Sequence, residues 1–212
     1  MTMTGKAIVF PKVNTVVLQE YQLPEIQEDE IITQTLFSGV SIGTERWALT
    51  GERPDVDFPC IPGYQNVGKV IAVGKKVRKP RVGDVVLLSG FSQLPEGLNH
   101  GCGSAHASLL VAKGANALVL NPKVNKQDAA LAWVAGCALE GITLTQPQKG
   151  QVVLVIGQGL IGLMSTQLAK AWGATVITAE IHPKRIALSR KAGAKNVINP
   201  KETPLVESVK KL

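Results

Sequence analysis

The chain has 212 residues, 45% of them hydrophobic, enough for one large domain or two small ones with a real core. No apolar run approaches the ~20 residues of a membrane span, and the N-terminus lacks the apolar stretch of a signal peptide. The net charge of +7 is unevenly placed: residues 1–146 hold 13 Lys/Arg and 13 Asp/Glu, whereas residues 147–212 hold 10 and 3. No basic run is interleaved with aromatics, so solvated helix faces are expected rather than a nucleic-acid surface. Cys60, Cys102 and Cys137 are scattered and odd in number, which suits a reduced cytoplasmic protein better than a disulfide scaffold.

In chain order, short apolar runs punctuated by Gly, Pro and Asp predict strands at 6–10, 15–23, 30–41, 66–74, 84–90, 107–113 and 117–121. At 128–145 the period changes, and Ala129, Ala130, Trp133, Cys137 and Ile142 predict a bridging helix rich in small residues. The apolar run 151–156 reads as a buried parallel strand, 160–172 as a helix, and 175–180 as a second strand ending in an acid. A helix at 183–192, a short strand at 196–199 and an amphipathic segment at 204–212 complete the chain.

Gly157-Gln158-Gly159-Leu160-Ile161-Gly162 lies between the first of those strands and its helix, which is the context a dinucleotide-binding fingerprint needs. Gly157 permits the turn, Gly159 lets the backbone approach a pyrophosphate, and Gly162 lets the helix pack against the sheet. The N–H groups of the first helical turn, at Leu160 and Ile161, would face the phosphates. Glu180, 18 residues beyond Gly162, stands where an acid takes the ribose hydroxyls and repels a 2′-phosphate, which favours NAD over NADP. His182, Lys184 and Arg185 follow at once and soften that repulsion; Arg185 is placed to flank the adenosine. Only about the first half of a doubly wound domain is present. A half-wound sheet leaves an open parallel edge, so a homo-oligomer or pairing with a missing C-terminal half is expected.

The segment Pro62-Gly63-Tyr64-Gln65-Asn66-Val67-Gly68, with Gly74 and then Val82-Gly83-Asp84-Val85-Val86, resembles the medium-chain dehydrogenase/reductase superfamily. The resemblance covers the whole chain but about two thirds of a usual member. It implies an α/β fold: a GroES-like β barrel with a bridging helix over 1–146, then a partial Rossmann domain over 147–212. It also implies the ligands of a catalytic zinc, which fall on Ser41, Tyr64 and Cys137, with Gln65 where the family has Glu. Two of the three are hydroxyls that would have to deprotonate to bind zinc near neutral pH. The four cysteines of the family's structural zinc are reduced to Cys102, and the spacing of His100, Cys102 and His106 fits no zinc site. Zinc is therefore not expected.

What remains is hydride exchange between a nicotinamide cofactor and a small alcohol/carbonyl pair or an enone, with hydrogen bonds in place of a metal. Tyr64, Ser41 and Thr44 are the catalytic candidates, and Arg46 falls where the family often carries the end of a proton relay. The same Ser, Thr and Glu45 would equally cap a short helix at 45–49. An NADPH-dependent quinone or enoyl reductase and a non-catalytic dinucleotide-binding module or inert fragment are the alternatives. The expected partner is a small molecule, with no nucleic acid and no membrane.

Overall fold

Alternation of side chains settles the first strands. In β1 (Thr4–Val9), Gly5, Ala7 and Val9 point inward, and the strand pairs antiparallel with β2 (Val17–Gln22). Gly5 faces Tyr21 across this pair, and a Cβ there would lie 2.3 Å from the phenol oxygen, so the glycine makes room for the ring. Tyr21 in turn packs edge-on against Phe91 at 5.8 Å, and its hydroxyl donates to the Leu109 carbonyl. Burial pushes the phenol up to about 12. The computed structural model that shows these strands describes residues 3–211.

The chain divides into two units between Ala132 and Trp133. In the first, β3 (Glu30–Ser38) leads into α1 (Ile42–Leu49). Then follow β4 (Cys60–Pro62), β5 (Asn66–Val73), β6 (Val85–Leu88), β7 (Asn99–Gly101), β8 (Leu109–Lys113) and β9 (Leu118–Val119). The main sheet runs β8–β3–β5–β6–β9, and β4 pairs with β7 in parallel. The expected β-rich domain is thus present, but its strands fall into three sheets linked by single bridges, Ala7 to Ala107 and Phe10 to Cys60, rather than one continuous barrel ladder. Pairing of β4 with β7 had no sequence signal, since three-residue strands are too short to show alternation. Ile31, Ile61, Val70, Val86, Leu88 and Leu110 form the centre of the core. The spaced glycines of the motif have a steric cause: a Cβ on Gly74 would lie 2.4 Å from the carbonyl oxygens of Gln27 and Glu28.

The helix expected over 128–145 is broken. Asn125 caps a short α2 (Lys126–Ala129) by accepting from the N–H groups of Gln127 and Asp128, and α3 (Ala132–Thr145) follows. Ile142 of α3 packs with Ala169, Ala174 and Val176, so this helix shares the core of the second unit, and the division between the units falls after its first residue.

The second unit alternates β10 (Val152–Ile156), α4 (Leu160–Ala171), β11 (Thr175–Ala179), α5 (Pro183–Ala192), β12 (Asn196–Ile198) and α6 (Leu205–Lys210). The three strands are parallel in the order β10–β11–β12, as the fingerprint required. The apolar run at β10 is buried on one face only. Val153 and Val155 pack inward, while Val152, Leu154 and Ile156 are exposed at 56%, 36% and 72%. Among the described residues no helix is long and apolar enough to cross a membrane.

Glu30, the first residue of β3, is wholly buried. Its carboxylate accepts from the Gln27 N–H at 2.9 Å, the Ser92 hydroxyl at 2.9 Å and the Gln93 side-chain amide, and lies 3.2 Å from the Lys113 ammonium. Burial alone would raise its pKa; these donors outweigh burial and hold it below the usual carboxylate range. A folded value below the unfolded one, ~4.3, gives stability that is fully present above that pH and lost as pH falls through the folded value. Glu30→Ala is expected to lower the unfolding free energy by about 3 kcal/mol at neutral pH, read from urea melts. The gap between variant and parent should close in acid, and a gap that persists there would rule out this origin.

Candidate functional site

Each unit carries its own cluster of candidate residues. In the second, the turn out of β10 needs a left-handed residue, and Gly157 supplies it at φ +84°. Gly159 caps α4, and the first helical bond runs from the Leu163 N–H to the Gly159 carbonyl. The N–H groups of Leu160, Ile161 and Gly162 therefore have no intrahelical acceptor. A Cβ on Gly159 would meet nothing within 4 Å, whereas one on Gly162 would lie 1.9 Å from the Gly157 carbonyl oxygen. The loop is thus open where a pyrophosphate would lie and closed where helix meets strand. This is a cradle that fits a dinucleotide.

Gln158 is fully buried and locks the loop from within. Its side chain accepts from the Thr166 hydroxyl at 3.1 Å and donates to the Gly157 carbonyl at 3.1 Å. Its N–H donates to Glu180 at 2.7 Å. The other oxygen of Glu180 accepts from the N–H groups of Ile181 at 2.7 Å and His182 at 2.9 Å. Burial would raise the Glu180 pKa, but the N–H groups of His182, Gln158 and Ile181, with the charge of Arg185, hold it below the usual range. Its expected role as ribose acceptor meets a carboxylate already engaged by backbone on both oxygens. His182, Lys184 and Arg185 are exposed beside it.

In the first unit, two segments far apart in sequence are tied together. The Gly39 N–H donates to the Gln65 carbonyl at 2.9 Å, and the Gln65 side-chain amide returns a bond to the Gly39 carbonyl at 3.3 Å. The loop bearing Ser41 and the turn bearing Tyr64 are thereby held side by side. Ser41 stands at the N-cap position of α1, which starts at Ile42 rather than Glu45, but its side chain makes no capping bond; its hydroxyl lies 3.4 Å from that of Thr44. Glu45 reaches back to accept the Ser41 N–H at 2.8 Å. Its second oxygen lies 2.9 Å from His106 Nε2, and both side chains are buried. This pair had no sequence signal, because its members stand 61 residues apart. The His106 ring fills the space beside Gly63, where a Cβ would come within 2.7 Å of it, so the turn ahead of Tyr64 rests on the imidazole. Glu45 and His106 also line a cleft of about 410 Å³ with Ser38, Val40 and Pro62, whereas Tyr64, Ser41 and Thr44 do not line it. Arg53, bonded to Asp55 at 2.6 and 2.8 Å and stacked 5.4 Å over Trp47, contributes positive charge near Cys102.

Cys137 is exposed on α3, in the other unit from Ser41 and Tyr64. Among the described residues no group of three or more His, Cys, Asp or Glu side chains is placed to hold a metal ion. The donor set that stands where the zinc would be sought, two hydroxyls and one thiol, does not fit that metal.

A sequence model of the alcohol dehydrogenase GroES-like domain matches residues 27–123, and one of the zinc-binding dehydrogenase matches residues 161–212. The chain belongs to the medium-chain dehydrogenase/reductase superfamily. Among superfamily relatives, it is 24% identical over 225 residues to sorbitol dehydrogenase of Bacillus subtilis (strain 168), covering 97% of this chain and 64% of the relative. The chain therefore spans about two thirds of that relative's length. Among solved structures it is similar to a provisionally named zinc-binding dehydrogenase from Sinorhizobium meliloti 1021 bound to NADP (TM-score 0.84, 22% identity, 97% of this chain and 64% of that one). It is also similar to one described as a short chain alcohol dehydrogenase from E. coli CFT073 complexed with NADH (TM-score 0.86, 24% identity, 98% and 66%). At these identities the superfamily structures establish the fold.

The two glycines separate steric from binding roles. Gly162→Val should unfold the loop and lower the melting temperature by several degrees, an effect of about 2 kcal/mol or more. Gly159→Val should leave melting nearly unchanged yet abolish binding of ADP-ribose, read by calorimetry, because its side chain would fill the cradle.

Proposed function

We propose that this chain is an NAD(P)(H)-dependent oxidoreductase that acts without zinc on a small alcohol/carbonyl pair or an enone. The observation that carries it is the preformed cradle: an open Gly159, three N–H groups without intrahelical acceptors, and a loop clamped by Gln158 and Glu180. Gly157, Gly159, Leu160, Ile161 and Gly162 receive the pyrophosphate, Glu180 shapes the loop, and Arg185 flanks the adenosine. A bound nicotinamide supplies or accepts the hydride. The protein's own task is to steady the oxygen of the carbonyl and to hand it a proton.

Tyr64 suits that task. It is half-buried, and among the described residues its hydroxyl has no hydrogen-bond partner, so its proton is available to a substrate oxygen. Ser41 and Thr44 are neighbouring hydroxyls held by the Gly39–Gln65 bonds to the Tyr64 turn. The engaged carboxylate of Glu180 favours, as a second reading, an NADPH-dependent quinone or enoyl reductase on the same site. The exposed apolar face of β10 and its open edge favour self-association or pairing with a C-terminal half.

Titration with NADH and with NADPH, followed by nicotinamide fluorescence, is expected to show saturable binding of at least one; binding of neither would overturn the proposal. Turnover on a panel of aldehydes, ketones, quinones and enones should survive a zinc chelator. Tyr64→Phe should lower that turnover by about 100-fold or more with cofactor affinity unchanged. Sizing of the pure chain should show a species larger than a monomer, and a monodisperse monomer would remove the case for β10 pairing.

A further inference from the structure

The loop between β5 and β6 concentrates positive charge. Residues 75–81 read Lys-Lys-Val-Arg-Lys-Pro-Arg, five cations in seven residues with no acid among them. Five of the 13 Lys/Arg of residues 1–146 therefore fall in this one stretch, so the even balance of those residues hides a local excess. Lys76 pairs with Glu28 at 2.7 Å. Lys75, Arg78, Lys79 and Arg81 are exposed and form no ion pair among the described residues.

Cations on a loose loop would spread apart in water as a solvated face. This loop is held at both ends and in the middle. The Gly74 N–H donates to the Glu30 carbonyl at 2.7 Å, and the Lys76 N–H to the Glu28 carbonyl at 2.7 Å. The Arg81 N–H donates to the Asp84 carboxylate at 2.8 Å, and the Gly83 N–H to the Val70 carbonyl at 2.9 Å. Val77, between the cations, packs on the core, and a Cβ on Gly114 would lie 3.0 Å from its Cγ1. Thus anchored, Lys76, Arg78 and Lys79 line one hollow of about 530 Å³ with Asp29, Gly114 and Ala115. The carboxylate in that lining, Asp29, is matched by the Lys113 ammonium at 3.0 Å.

Like charges fixed around a concave wall raise a positive potential that an open face would not. A ligand with several negative oxygens relieves it, and a guanidinium beside ammonium groups suits phosphate. The loop carries no aromatic residue on which a base could stack, which disfavours a nucleic acid. A hollow also fits a compact molecule better than a flat bilayer. We infer that the loop 75–81 and the turn at Gly114 form an anion site for a compact molecule carrying two or more phosphate groups, separate from the glycine loop of the second unit.

The probe is inorganic tripolyphosphate, titrated into the 212-residue chain by calorimetry and by amide NMR. Saturable binding is expected, weakening as salt is raised, with shifts at Arg78, Lys79 and Gly114. Arg78→Gln with Lys79→Gln, both exposed, should weaken it by about tenfold or more while leaving the melting temperature of the free chain unchanged or higher. Lys12→Gln with Lys201→Gln, which removes the same charge elsewhere on the surface, should weaken it by less than about twofold. Gly159→Val, which alters the other phosphate loop, should leave it unchanged. Equal weakening by the two charge-removing pairs would reduce the effect to net charge and sink the inference. So would loss of binding in Gly159→Val alone, or no saturable binding at all. Vesicles of phosphatidylglycerol separate the sources of phosphate. Sedimentation of the chain with them at about 0.15 M salt, lost in the loop variant and without tripolyphosphate binding, would replace the compact ligand by a membrane surface.

Discussion

Among the described residues three carboxylates are buried, and each holds backbone in place. Glu30 accepts the Gln27 N–H at the entry to β3, Glu45 the Ser41 N–H at the start of α1, and Glu180 the Gln158 N–H of the glycine loop. A buried carboxylate is costly unless its oxygens are met by donors, and backbone N–H groups left unpaired in a loop are costly too. Each pairing cancels both costs at one place. The loops that carry the candidate chemistry therefore have fixed shapes before any ligand arrives.

This economy bears on function. Preorganised loops need no ordering when a ligand binds, which suits a phosphate cradle and a set of hydrogen-bond donors. It also engages Glu45 and Glu180 with backbone donors, while Glu45 keeps an edge on the cleft. The other candidate groups are hydroxyl and cationic: half-buried Tyr64, Ser41 and Thr44 in one unit, exposed Lys184 and Arg185 in the other. Such a set supports proton donation to a carbonyl oxygen and attraction of phosphate.

The second unit was the more legible in the sequence. Strand, glycine loop, helix and strand follow one another within 30 residues, so local pattern carries nearly all of the βαβ topology. The first unit was legible as β-rich, with most strands shorter at their ends than the apolar runs suggest; the run at 30–41 stops at Ser38 because α1 claims the residues after it. The parallel pair β4–β7 and the break between α2 and α3 were not legible. The first depends on three-residue contacts between segments about 40 residues apart, and the second on a cap at Asn125 ahead of the expected helix.

The sequence by itself determined the order of elements, the family and the glycine loop between β10 and α4. These are encoded in spacing along the chain, which local backbone preferences and glycine sterics translate directly. Only the tertiary structure decided what each polar side chain touches. Glu45 meets His106, Gln65 meets Gly39, and Glu180 meets the N–H groups of Gln158, Ile181 and His182. Those choices depend on which donors folding brings within 3 Å or so of a carboxylate, and a linear pattern holds no record of that distance.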